Sequence, residues 1–163
     1  MACAVAFATG SGETFAMTDT VRRYTGGCLC GALRYEAAGE PLFTGHCYCT
    51  DCQKASGSGF IPFMGFAASA VRFTGATSSF TTRSARGGDA VRISCPVCSS
   101  LVFGGEPGKD EFLTIYAGTL DDPSGFRPRI AIFAGSRPPW AIIPPGLEVF
   151  ERMFVEAAPP ASS

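Results

Sequence analysis

The segment His46-Cys47-Tyr48-Cys49-Thr50-Asp51-Cys52-Gln53-Lys54-Ala55-Ser56 places three cysteines at the spacing C-x-C-x-x-C. In an extended strand residues i and i+2 share a face, so Cys47 and Cys49 send their sulfurs the same way. A C-x-x-C pair does the same around a tight turn. Outward from this segment lie two more clusters, Cys28-x-Cys30 and Cys95-x-x-Cys98, with Cys3 alone near the start. Disulfide frameworks spread their cysteines and belong to small secreted domains. Neighbours this close bridge one another only with strain. The clusters therefore read as metal ligands. Thiolates are soft donors that suit zinc, although an iron held by four thiolates would also fit a closed cluster.

Seven clustered cysteines divide into four and three. Zinc takes four ligands in a closed structural site and keeps one position for water or substrate in a catalytic one. Cys47, Cys49 and Cys52 form a compact triplet. Cys28 and Cys30 are then left to meet Cys95 and Cys98, a pairing that spacing alone does not prove. Loop-closure entropy grows slowly with length, and structural zinc binding of roughly 10–16 kcal/mol outweighs it. His46 is the one histidine of the chain and could be a fourth ligand to the triplet. It adjoins Cys47, however, and adjacent strand residues point to opposite faces, which favours a supporting role.

The rest of the chain reads as β-structure. Glycine and proline punctuate short runs with period-two alternation: LRYEA, FIPFMGF, VRFTG, SFTTR, AVRISC, LVFGG, FLTIYAG and IAIFAG. The one helical turn expected lies near DCQKAS. The fold class is mainly β, one domain of short antiparallel strands over residues 21–155. Residues 1–20 read as a loose N-terminal tail and 156–163 as a frayed C-terminal one; translation from Met17 would shorten the first. The pattern T-G-x-C-x-C occurs at Thr25–Cys30 and again at Thr44–Cys49.

The 163 residues carry a formal charge of -1 and only two lysines, Lys54 and Lys109. That balance supplies no basic field for nucleic acid. No apolar run approaches the ~20 residues of a membrane helix, and the apolar N-terminus lacks the positive start of a secretory signal. A cytoplasmic location is expected.

The order GGCLCGALRY, HCYCTDCQKASGSGF, CPVC, GTLDD and SRPPW resembles the glutathione-dependent formaldehyde-activating enzyme family, which also includes centromere protein V. The resemblance runs from about Gly26 to Phe150. It implies a β-tent fold with two Zn2+ per chain: a structural zinc on Cys28, Cys30, Cys95 and Cys98, and a catalytic zinc on Cys47, Cys49 and Cys52. It implies carbon–sulfur lyase activity on a thiol–aldehyde adduct such as S-(hydroxymethyl)glutathione, with glutathione and an aldehyde as partners. Two departures stand out. Ser99 replaces a glycine frequent after the last C-x-x-C, and Ala131 replaces a histidine frequent before the Ile-Phe pair.

Other residues carry weaker signals. Asp51 sits inside the ligand loop and reads as a turn residue, with proton handling as the alternative. Lys54 reads as solvated. Arg127, Arg129 and Arg137 could bind substrate carboxylates or be surface charge. Trp140 and the phenylalanines are expected in the core. The rival readings are a zinc-stabilised binding module without chemistry and a metal- or redox-sensing protein.

Overall fold

The computed structural model describes residues 21–84 and 87–153. The expected tails, 1–20 and 156–163, lie outside the described residues, as do Cys3, Met17 and the last two residues of the expected domain.

The described chain runs through β1 (Arg23–Gly27), β2 (Arg34–Ala38), β3 (Phe43–Cys47), α1 (Thr50–Ser56), β4 (Ile61–Ala67) and β5 (Val71–Thr74). It continues through β6 (Ser78–Arg83), β7 (Asp89–Ser94), β8 (Leu101–Gly104), β9 (Phe112–Tyr116), β10 (Ile130–Ile132) and β11 (Glu148–Val149). The mainly β reading holds, and the helix falls on the segment expected for it. Three strands escaped the sequence patterns. β1 and β3 are interrupted by glycines, and the two-residue β11 carries no period.

The strands form a small sheet ordered β1-β2-β5 and a large one ordered β11-β10-β3-β4-β9-β8-β7-β6. Pairing is antiparallel except at one end, where β10 runs parallel to both β3 and β11. The expectation of antiparallel strands is corrected there: a long irregular connection after β9 brings β10 back in the direction of β3.

Alternation gives the large sheet two distinct faces. Met64, Ile115, Phe103 and Ile93 follow one another across β4, β9, β8 and β7 in register and are buried. In the main core they pack with Leu33, which precedes β2, and with Tyr35, Ala37 and Val71 of the small sheet. Burying a large side chain of this kind is worth roughly 1.5–3 kcal/mol. On the opposite face the register places Cys47, Phe63, Tyr116, Gly104 and Arg92. That face builds the candidate site.

Both copies of the T-G-x-C-x-C pattern have a physical reason for their first glycine. A Cβ on Gly26 would run into the Thr119 carbonyl and the Tyr35 ring, and one on Gly45 into the Ile130 carbonyl. Each glycine lets a second piece of backbone cross close to the strand that leads to the ligands.

Trp140 is 70% exposed and lies over Gly59 rather than plugging the core. Phe80 and Phe112 are exposed as well. The preceding Pro138-Pro139 holds the tryptophan in a surface turn, and Phe80 sits on the edge strand β6, which has a neighbour on one side only.

Candidate metal centres

The turn after β1 and the turn between β7 and β8 meet and bring Cys28, Cys30, Cys95 and Cys98 together, with all four sulfurs within 4.8 Å of one another. Cys28 and Cys30 Sγ are 3.6 Å apart, and Cys30 and Cys95 Sγ 3.8 Å. Two ligands of a tetrahedral zinc, each about 2.3 Å from the metal, sit about 3.8 Å apart. The quartet fits zinc.

Backbone donors surround these sulfurs. Leu33 N–H donates to Cys28 Sγ (3.2 Å) and Val97 N–H to Cys95 Sγ (3.4 Å). The Ser100 hydroxyl lies 3.2 Å from Cys98 Sγ. It is the main cause that pulls the Cys98 thiol down to about 5, followed by the backbone N–H groups of Ser100 and Cys30. At Cys28 and Cys98 these contacts favour the thiolate that a metal requires. Ser99, at the glycine-like position, has a φ of 58°. The left-handed turn explains why a glycine suits that place.

Cys47 ends β3, Cys49 caps α1, and Cys52 lies in its first turn. Cys49 Sγ accepts from Cys52 N–H (3.4 Å), so the C-x-x-C pair is also the helix N-cap. Gly57, at φ 65°, closes the helix. Gln53 fixes its orientation by donating to the carbonyls of Tyr48 (2.6 Å) and Ser136 (2.9 Å). The three sulfurs lie within 4.8 Å of one another, and no His, Asp or Glu ligand atom joins them among the described residues.

The triplet's thiols share protons unequally. Hydrogen bonds from Cys47 and Cys52 push the Cys49 thiol down to about 2. The reciprocal bond to Cys49 drives Cys47 up. Cys52 feels a lowering bond from Cys47, outweighed by its bond to Cys49 and by burial, and rises to about 11. Three converging sulfurs are the donor set of a soft cation.

His46 points away, as strand alternation requires. It stacks on Phe60 at 4.4 Å between ring centroids, and its Nδ1 lies 3.4 Å from the Tyr48 hydroxyl. Burial lowers its pKa. Ala131, paired in register with His46, is fully buried on that side with Tyr48 and Ala141.

The triplet borders a cleft of about 520 Å³, also lined by Asp51, Arg92, Tyr116 and Phe133. The quartet does not line it. Burial is the main cause that raises the Tyr116 phenol, with the nearby Cys52 next, so it stays protonated. Phe133 has a φ of 56°, a strained conformation for a bulky residue. Lys54 is exposed. Arg127, Arg129 and Arg137 are exposed and outside the cleft; Arg127 donates to the Ser124 and Phe126 carbonyls and Arg137 to that of Ala141.

Arg92 is the residue the sequence reading passed over. It looked like the polar half of an alternating strand, yet it is 8% exposed and lines the same cleft as the triplet. Burial alone would lower its pKa, but its interactions with Cys52 and Tyr116 raise it overall.

Residues 23–136 match the family described as glutathione-dependent formaldehyde-activating enzyme. The chain belongs to this family. The matched span contains both cysteine clusters, so the family's shared region is the part that carries the candidate metal centres. Among solved structures, the crystal structure of a Rhodobacter sphaeroides protein is similar at 21% identity and a TM-score of 0.47, covering 64% of this chain and 91% of that one. No curated protein matches the chain. No helix among the described residues is long and apolar enough to cross a membrane.

Proposed function

We propose that the chain is a zinc-dependent enzyme of the carbon–sulfur lyase type that joins glutathione and formaldehyde to S-(hydroxymethyl)glutathione, or cleaves that adduct. The reaction forms a bond between sulfur and the aldehyde carbon. The carbonyl becomes a hydroxyl, and the thiol proton ends on its oxygen. One observation supports the reading above the rest: in a member of this family, three converging thiols border a cleft and four others do not.

In this reading Cys28, Cys30, Cys95 and Cys98 hold a structural zinc and tie the two sheets together. Cys47, Cys49 and Cys52 hold the catalytic one. Zinc bound there supplies the charge that strips the proton from an arriving thiol. The chain's own groups arrange the rest. Gln53 holds the helix that carries Cys52. The protonated Tyr116 phenol offers a hydrogen bond to the oxygen of the aldehyde or adduct. Phe63 and Phe133 narrow the cleft around the reacting carbon. A reducing compartment such as the cytoplasm keeps thiolate centres intact.

Cys49→Ser tests the reading. The variant should fold, bind one zinc per chain instead of two, and lose the catalysed exchange between glutathione and formaldehyde followed by NMR. A folded Cys49→Ser protein with the full wild-type rate would refute it.

A further inference from the structure

Arg92 is built into the molecule at a cost that nothing so far explains. It sits mid-strand in β7, 8% exposed, on the face of the large sheet that carries the triplet. A buried guanidinium is expected to meet a carboxylate. Arg92 makes no ion pair with aspartate or glutamate among the described residues. Its Nη1 donates to the Thr82 hydroxyl at 3.1 Å, and its buried Nε has no hydrogen-bond partner. The groups it does meet are Cys52, Tyr116 and Cys49, which line the same cleft. The cleft's other cation, Lys109, is largely exposed and paired with Glu106 at 2.6 Å.

The triplet explains the arrangement. Three thiolates around a divalent cation leave one net negative charge, and a fourth thiolate makes it two. Such a dianion in a partly buried site needs a counter-charge. Arginine is suited to the task because it stays protonated and is weakly hydrated. We propose that Arg92 is a positioning residue of the open centre, a buried cation that offsets the charge of Cys47, Cys49 and Cys52 and lets the centre accept an anionic sulfur from the substrate. The inference rests on the proposed function and names what enables the thiol to bind.

Metal affinity and thiol binding test it without turnover. Arg92→Gln, compared with wild type by chelator competition, should bind zinc at the triplet about tenfold or more weakly, with the quartet's affinity unchanged as a folding control. Cobalt(II) substituted for zinc reports a fourth sulfur through its thiolate-to-metal absorption band. Glutathione and the neutral thiol 2-mercaptoethanol should both saturate that band in wild type. Both should bind about tenfold or more weakly in Arg92→Gln, and within about threefold of wild type in Arg92→Lys. Arg92→Met repeats the comparison if Arg92→Gln does not fold.

Zinc and thiol affinities unchanged in a folded, neutral variant would overturn the proposal. Loss confined to glutathione would overturn it too, since Arg92 would then be holding a substrate carboxylate. Failure of the function reading looks different. Wild type would bind thiols at cobalt yet turn over no adduct, while the effect of Arg92 on metal and thiol affinity would remain.

Discussion

Cys98→Ser removes one ligand from the quartet, and its effect can be worked from the fold. The quartet joins the turn after β1, in the small sheet, to the turn between β7 and β8, in the large one. Cys30 and Cys95 are 65 residues apart. A cross-link across such a loop removes denatured-state entropy worth about 4 kcal/mol at 25 °C in the chain-entropy treatment. Serine is a hard donor that keeps its proton at neutral pH, so it replaces a zinc thiolate poorly. At about 2–4 °C per kcal/mol for a chain of this size, the loss amounts to a drop in Tm of about 8–16 °C. Calorimetry with metal analysis on the same samples provides the assay. Zinc should fall from two to one per chain, and wild type stripped of metal should melt at least as low as the variant. A Cys98→Ser protein that melts within about 2 °C of wild type would refute the idea that this centre ties the sheets together.

His46→Phe should keep two zinc ions per chain and shift stability by less than about 1.5 kcal/mol, because phenylalanine preserves the stack on Phe60; loss of one zinc would make His46 a ligand after all. Ser99→Gly relieves about 1–2 kcal/mol of left-handed strain against about 0.5–1 kcal/mol of added chain entropy. Urea titration of the metal-loaded protein should therefore show a small net gain in stability, and a net loss would contradict the strain argument. Asp121 is held below the usual carboxylate range by its hydrogen bonds to Arg34. Its depressed folded pKa means that this contribution is complete above about pH 4 and is lost as the pH falls through the folded value. The stability difference between wild type and Arg34→Gln should be constant above about pH 5 and shrink below about pH 4, as followed by urea titration at each pH; a difference that persists undiminished in acid would remove Asp121 from the account.

What the sequence determined by itself was local. The C-x-C and C-x-x-C spacings specify which sulfurs within a cluster share a side, because strand alternation and tight turns act over two or three residues. The same alternation directs His46 away from Cys47. The glycine-broken β1 and β3 stayed hidden because their reason lies elsewhere in the chain: Gly26 and Gly45 admit backbone from Thr119 and Ile130. Only tertiary structure decided that clusters 65 residues apart meet, that the triplet borders a cleft while the quartet does not, and that Arg92 lines the same cleft as the triplet. Alternation in AVRISC says that Arg92 and Ile93 point to opposite faces, but a strand does not record what covers each face. That is settled when sheets, helix and turns pack, and packing turned an ordinary strand arginine into a buried charge beside three thiols.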